Sequence, residues 1–304
     1  MIPSLAARDF YTRPGPMTGL GAHAPALAGG GAGIAAVSET VQGVLMHLFW
    51  AGAYQVALSS DRASQQHLRS AGATLDAVIG NRPAPLTQRR EAADRAVGVC
   101  RHFTVLAVAM LRAKGVPARA RVGFGAYFER GRFVDHWVVE YWDAARGAWV
   151  LADAQIDALQ KAALKPDFDT LDVPRDRFIL AGDAWRQCRA GQADPKAFGI
   201  LDMWGTWFIA HNLLLDFAAL NNVEMLPWDD WGPQIPPGEA PTADQLALYD
   251  RLADLTLDPD AHFDEIRRLY ETGSGLKVPP EVFNAVTQQV DRVAELEGTT
   301  PLPV

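Results

Sequence analysis

Three side chains whose types suit nucleophilic catalysis follow one another along the chain: Cys100, His136 and Asp153. A cysteine acts as a nucleophile through its thiolate, which a neighbouring base generates. Histidine is the most common base, and an acceptor hydrogen-bonded to its ring fixes the orientation of that ring. The order and the local contexts of these residues therefore predict a cysteine nucleophile, its base and an orienting acid.

Cys100 stands where an apolar helix is predicted to begin. Lys114, Gly115 and Pro117 mark the end of that helix. Its apolar stripe consists of Phe103, Leu106, Ala107, Met110 and Leu111. In the first turn of a helix, unpaired backbone N–H groups and the helix dipole favour a thiolate and can bind an oxyanion. The alternative is that Cys100 is simply a small buried apolar residue.

His136 and Asp153 lie in segments whose aromatic and β-branched residues predict two neighbouring antiparallel strands. A turn over residues 143–148 would pair Trp142 with Trp149 and Val138 with Asp153. His136 and Asp153 would then be diagonal neighbours on one sheet face, roughly 7–8 Å apart at Cα. A bulge could place them directly opposite each other, but any even shift of register leaves them on the same face.

The segment from about residue 96 to 157 resembles the core of the transglutaminase-like superfamily, relatives of papain-type cysteine enzymes. The resemblance rests on four motifs: Gly98-Val-Cys100, Leu111-Arg-Ala-Lys-Gly-Val-Pro-Ala-Arg119, His136 with Glu140, and Trp149 with Asp153. It implies that Cys100 is the nucleophile, His136 the general base and acid, and Asp153 the orienting residue. It covers about a fifth of the chain.

Two positions depart from the pattern of that superfamily. Trp137 follows His136 directly, where the family often has a small residue, and Ala154 stands where a proline usually follows the aspartate. Neither departure changes a reacting group, so the predicted triad stands.

The order of helix and strand patterns predicts an α+β fold. Helical N-terminal segments, including one over Val41–Leu58, would pack on an antiparallel sheet over residues 119–153 in a transglutaminase-like core. We expect a catalytic core over residues 1–165 and a mainly helical C-terminal region over 166–304 packed on it. Helices are expected in that region over Phe178–Arg189, Trp207–Leu220, Thr242–Leu255 and Ala261–Thr272.

Composition narrows the set of partners. The net charge of −8 argues against nucleic acid and against an anionic membrane surface. Two cysteines cannot form a disulfide framework, and their spacing is not that of metal ligands. We therefore expect a protein of the reducing cytoplasm with no metal and no cofactor. The oligomeric state stays open.

Other reactive residues have structural interpretations. His102 should point away from the Cys100 sulfur, about 200° around the helix. His47 and His211 fit packing or hydrogen-bonding roles. Cys188 lies beside Arg186 and Arg189, which favour a thiolate, but no histidine–aspartate strand pair accompanies it, so we expect no catalytic role for it. Structural roles are also expected for a set of charged and aromatic residues: Arg119, Arg121, Glu140, Trp204, Trp207, Phe208, Trp228 and Trp231.

The expected function is cysteine-dependent acyl transfer on an amide or ester carbonyl through a thioester. Amine capture of the thioester would make the protein an amide-forming transferase with a tailoring, biosynthetic role, and water capture would make it an amidase or peptidase. A small-molecule or peptide-like acyl substrate fits the acidic chain. The alternatives are a non-catalytic binding module of the same fold, and a Cys–His pair used for other carbonyl chemistry.

Overall fold

The structure, a computed structural model, describes residues 4–29, 31 and 33–296. Its contacts group the chain into two compact units. The cysteine unit comprises Arg8–Ala120 and Val138–Val173, and the histidine unit comprises Met1–Ala7, Arg121–Trp137 and Pro174–Val304. Neither unit is one continuous segment. The division into residues 1–165 and 166–304 stays a prediction.

Helices and strands are mixed along the whole described chain. The helices are α1 (Leu5–Phe10), α2 (Ala24–Ala28), α3 (Ile34–Val44), α4 (Ser60–Ser64), α5 (Ala71–Asn81), α6 (Cys100–Ala113), α7 (Ala158–Leu164), α8 (Ala181–Arg189), α9 (Thr206–Leu220), α10 (Ala243–Leu257) and α11 (Phe263–Thr272). The strands are β1 (Leu45–His47), β2 (Ala96–Gly98), β3 (Ala118–Gly125), β4 (Phe133–Asp143), β5 (Ala148–Ala152), β6 (Phe178–Leu180), β7 (Phe198–Ile200), β8 (Met203–Trp204), β9 (Asp229–Asp230), β10 (Glu281–Asn284) and β11 (Gln289–Arg292). The α+β class is confirmed.

The cysteine unit is built around α6, which is buried at every position from Cys100 to Arg112. Helices α3 and α5 pack against it. The parallel pair β1 and β2 leads into its first turn, with His47 opposite Gly98. A helix without an exposed face needs internal partners for all its polar groups. The polar groups of its first turn therefore need partners within the protein.

Strands β4 and β5 form an antiparallel pair in the register that the sequence predicts. Trp142 lies opposite Trp149, and the last registered pair is Val139 with Ala152. Asp153 is the next residue after β5, where the same register would set it opposite Val138. This part of the predicted geometry is confirmed.

The helix predicted over Val41–Leu58 is wrong from Leu45 onward. Helix α3 ends at Val44, and Leu45–His47 is a strand that pairs with β2. The apolar spacing of this segment fits a helix, but Met46 packs with Ala51 and Val97 in a small cluster of buried residues. Tertiary pairing therefore overrides the local periodicity.

The histidine unit contains a sheet with helices beside it. Its strands lie in the order β6-β3-β4-β7-β8, where β6 is antiparallel to β3 and β7 is parallel to β4. Helices α8, α9 and α10 pack on one another. A separate sheet has the order β11-β10-β9. The mainly helical pattern predicted after residue 166 thus misses several short strands.

Two arginines of β3 are buried with carboxylate partners. In the cysteine unit, Arg119 donates from Nε to Glu140 at 2.7 Å, and its guanidinium lies over the Trp149 ring, 4.0 Å from the centroid. In the histidine unit, Arg121 donates from Nη2 to Asp216 at 2.9 Å. The structural roles predicted for Arg119, Arg121 and Glu140 are confirmed.

Within the described residues, no helix combines the length and the apolar composition needed to cross a membrane.

Removing Arg119 should be costly because Glu140, only 1% exposed, would keep a buried charge without its partner. We expect Arg119→Met to lower the free energy of unfolding by about 3–5 kcal/mol in chemical denaturation. The matched control is Arg146→Met, because Arg146 forms an exposed ion pair with Asp172 and should contribute at most about 1 kcal/mol. Adding Glu140→Leu to Arg119→Met should restore most of the loss. Equal effects of the two single substitutions would contradict this account.

Candidate active site

Cys100 is the first residue of α6, as predicted. It is 6% exposed, and neither it nor Cys188 is in a disulfide. The backbone N–H groups of the first helical turn have no acceptor within the helix itself. Cys100 therefore lies among the partial positive charges of a helix start.

His102 closes the first turn of α6 with its ring. The backbone N–H of Val99 donates to His102 Nδ1 at 3.2 Å, and the backbone N–H of His102 donates to the Val99 carbonyl at 2.8 Å. Because Nδ1 accepts, the ring proton belongs on Nε2, which lies 2.9 Å from the Leu68 carbonyl and donates to it. This is one half of a capping box, with histidine in the usual place of Glu or Gln, and the Val99 carbonyl accepts the bond that a Ser or Thr side chain would otherwise accept.

The ring of His102 fits because residue 98 has no side chain. A Cβ at Gly98 would lie 2.7 Å from both Cβ and Cγ of His102, far closer than two non-bonded carbon atoms approach in proteins. Gly98 is therefore required by the cap, which gives a physical reason for the Gly-x-Cys pattern in this chain.

Burial, reinforced by the neighbouring charge of Arg101, lowers the pKa of His102 to about 3. The ring is therefore neutral at physiological pH, and both of its nitrogens have backbone partners. This agrees with the expectation that His102 is not the base of a catalytic pair.

Asp153 follows β5 directly and is 1% exposed. Its backbone N–H donates to the Thr170 carbonyl at 2.7 Å, and its Oδ1 accepts the backbone N–H of Gln155 at 3.0 Å. These bonds fix both the main chain and the direction of the carboxylate.

The turn after Asp153 is held by a side chain of α3. Gln42 donates from Nε2 to the carbonyls of Ala154 and Ile156, at 3.2 and 3.3 Å. These carbonyls flank Gln155, whose N–H reaches Asp153. Gln42 therefore acts on the carboxylate indirectly, through the conformation of this turn.

His136 lies in β4 within the histidine unit and is 2% exposed. Aromatic rings surround its imidazole: Phe128 at 4.7 Å, Tyr127 at 6.0 Å and Phe178 at 6.4 Å between ring centroids, all edge-on. Such contacts restrict the rotation of the imidazole and give it an apolar environment.

Asp135, the neighbouring residue in β4, has polar surroundings. Burial raises the pKa of this carboxyl to about 6, although His136, His211 and Asn212 nearby lower it. Its Oδ1 has no hydrogen-bond partner among the described residues. Successive side chains of a strand point to opposite faces, so Asp135 and His136 meet different surroundings.

The three predicted catalytic residues are thus divided between the two units. Cys100 and Asp153 are in the cysteine unit, and His136 is in the histidine unit, two residues before Val138, where β4 enters the cysteine unit. Their joint action is part of the proposal below.

A comparison with protein families matches residues 63–154 to the transglutaminase-like superfamily. This segment, less than half of the chain, is similar to that superfamily. It contains Cys100, His136 and Asp153, so the resemblance predicted from the sequence is confirmed.

No curated protein matches the chain. One similar solved structure is named a "Putative Cysteine Protease from Cytophaga hutchinsonii", with 17% identity over 58% of this chain and a TM-score of 0.34. The match spans about half (48%) of that protein.

Other candidates outside the predicted triad have structural partners. His47 accepts the Phe49 N–H at Nδ1, and His211 is bonded through Nε2 to the Pro227 carbonyl at 2.8 Å. Burial, with Asp194 nearby, raises the pKa of Cys188 to about 11, so the neighbouring arginines do not acidify this thiol. In the described ranges, no group of three or more His, Cys, Asp or Glu side chains could hold a metal ion.

Sequence reasoning missed several residues that lie beside the candidate site residues. Tyr127 and Phe128 form an aromatic pair in the loop after β3, and aromatic residues in a loop are a usable signal of binding. Gln42 lies more than a hundred positions from the turn that it holds. No local pattern in the sequence indicates that contact.

The neutral cap at His102 predicts a pH dependence of stability. The pKa of His102 in the folded state, about 3, is below the ordinary histidine value of about 6.5. The contribution of His102 to the free energy of unfolding is therefore complete above pH ~6.5 and is lost as the pH falls toward 3. The wild-type free energy of unfolding should therefore fall by up to about 1.4 kcal/mol per pH unit in this window because of His102.

His102→Gln tests this dependence, since Gln keeps an acceptor for the Val99 N–H but does not titrate. Denaturant unfolding from pH 7 to 4 should show a smaller loss of stability in this variant than in the wild type. The matched control is His262→Gln, at an exposed position. A slope unchanged by His102→Gln would contradict the neutral cap.

Proposed function

We propose that the protein is a cysteine-dependent acyl-transfer enzyme acting on an amide or ester carbonyl through a thioester. Cys100 is the nucleophile, His136 the general base and acid, and Asp153 the residue that orients His136. The observation that carries this proposal is a cysteine at the first turn of a buried helix, inside a segment that matches the transglutaminase-like superfamily.

The surroundings of the three residues support these roles. The helix start at Cys100 favours negative charge on sulfur. The carboxylate of Asp153 is buried and fixed in direction, as an orienting residue must be. The aromatic rings around His136 hold its imidazole in a defined orientation.

The proposed reaction balances in two halves. His136 takes the proton of the Cys100 thiol, the sulfur bonds to the carbonyl carbon, and a tetrahedral oxyanion forms. Backbone N–H groups of the first turn of α6 stabilise this oxyanion. The bond to the leaving amine or alcohol then breaks, the leaving group takes the proton from His136, and a thioester remains.

In the second half, an amine or water attacks the thioester while His136 accepts its proton. The sulfur leaves and recovers a proton from His136. Capture by an amine yields a new amide, as in a tailoring transferase, and capture by water yields an acid, as in an amidase or peptidase. We propose a small-molecule or peptide-like acyl substrate, no cofactor and a cytoplasmic setting.

Two alternatives carry different expectations. A binding module of the same fold would bind its ligand without a covalent intermediate. A Cys–His pair used for proton transfer beside a carbonyl would turn over substrate without a thioester. The covalent intermediate therefore separates the proposed reaction from both.

Alkylation by iodoacetamide over a range of pH, read by peptide mass spectrometry, tests the thiolate. We expect Cys100 to react with an apparent pKa below the ordinary value of about 8.5, and His136→Ala to slow this reaction at neutral pH by tenfold or more. Cys188 is an internal reference, because its raised pKa makes it slow.

His262→Ala is the matched control for His136→Ala, since it removes an exposed histidine. It should leave the alkylation profile of Cys100 unchanged. If Cys100 reacts no faster than Cys188, or is indifferent to His136, the enzyme proposal fails.

Trapping of an acyl group on Cys100 tests the intermediate directly. Incubation with p-nitrophenyl acetate and rapid acid quench should add one acetyl group, located at Cys100 by peptide mapping. Cys100→Ser should lack this adduct, and Cys188→Ser should retain it. If nitrophenol is released rapidly and neither the wild type nor Cys188→Ser carries an acetyl adduct, a Cys–His pair that acts without a thioester is favoured.

A further inference from the structure

Two of the aromatic rings that contact His136 do more than hold the orientation of its imidazole. Tyr127 and Phe128 pack against each other, 4.5 Å between centroids, and both contact the His136 ring. Unlike Phe178, which is fully buried, both side chains are only half-buried. They therefore present part of their ring surface outside the protein core.

A glycine at the start of this loop leaves room for both rings. A Cβ at Gly125 would lie 2.7 Å from Cε2 of Phe128 and 3.2 Å from Cε1 of Tyr127. The absence of a side chain at the end of β3 is what lets both rings approach. Aromatic residues of this kind in a loop commonly form binding surfaces.

The proposed chemistry determines which part of a substrate would meet these rings. A general acid and base must lie within about 3 Å of the heteroatom that gains or loses the proton. For His136, this heteroatom belongs to the leaving group in the first half-reaction and to the acceptor in the second. Because the Phe128 centroid is only 4.7 Å from that of the imidazole, a substituent on this heteroatom reaches the rings.

We propose that Tyr127 and Phe128 form the specificity surface for the leaving and acceptor group, and that this group carries an apolar ring or chain. This inference rests on the proposed function and adds to it the class of amine or alcohol that the enzyme takes. Half-buried aromatic rings bind an apolar group favourably because apolar surface on both sides is removed from water. Ring–ring contacts add to this binding free energy. Glu129 and Arg130, which follow in the loop, are exposed and lie outside the ring pair.

Alkylating probes with different amide substituents test this inference. We compare iodoacetamide with N-benzyl-iodoacetamide and with its 4-carboxybenzyl analogue, each measured at Cys100 of the full chain. In each reaction the sulfur displaces iodide and forms a thioether. Dividing every rate by that of glutathione removes the intrinsic reactivity of the probe.

The N-benzyl probe should react at Cys100 about tenfold faster than iodoacetamide after this correction, which corresponds to about 1.4 kcal/mol. The carboxybenzyl probe should lose most of this preference. Phe128→Ala and Tyr127→Ala should each lower the benzyl-to-unsubstituted ratio several-fold, and Phe128→Leu should keep part of it. Phe283→Ala, at an exposed aromatic residue of the same unit, should leave the ratio unchanged.

The ratio distinguishes substrate contact from a merely structural role. If the rings only orient His136, their removal slows both probes alike and leaves the ratio constant, which would overturn the inference. A ratio near one in the wild type, or faster reaction of an N-(2-aminoethyl) probe carrying a cation, would also overturn it. Failure of the proposed function is a separate result, since it shows as slow, His136-independent reaction of iodoacetamide itself.

Discussion

The burial of the start of α6 is the constraint on which the rest of the candidate site depends. An exposed helix start would satisfy its N–H groups with water, but this one lies inside the protein. The cap therefore comes from the chain itself: His102 accepts the Val99 N–H, the Leu68 carbonyl holds the His102 ring, and Gly98 leaves room for that ring. The same burial keeps His102 neutral. Cys100 lies at a helix start whose geometry is fixed before any substrate arrives.

Buried charged groups elsewhere in the structure also have partners within the protein. The guanidinium of Arg119 is paired with Glu140 within the cysteine unit, and that of Arg121 with Asp216 within the histidine unit. Buried charges are tolerated only with close partners, because their desolvation is costly. These pairs hold β3 to Glu140 of β4 and to Asp216 of α9.

Strand β4 shows how one residue of spacing separates two environments. His136 has aromatic neighbours, which suit an imidazole that must keep one orientation. Asp135 has polar neighbours and a pKa raised by burial. A shift of one residue in this strand would exchange the two surroundings and place a carboxyl among the rings. The register of β4 is therefore as important to the site as the identity of the histidine.

The sequence by itself determined the helix that begins at Cys100, the pairing of Trp142 with Trp149 and the α+β class, because these depend on local periodicity and short turns. Only the tertiary structure decided the end of α3 at Val44, the cap at His102, the contact of Gln42 with the turn after Asp153, and the rings around His136. Each of these joins residues distant in the chain or depends on burial. Local spacing contains no information about which distant side chain completes a buried hydrogen bond, and for that reason the surroundings of the site residues could not be predicted.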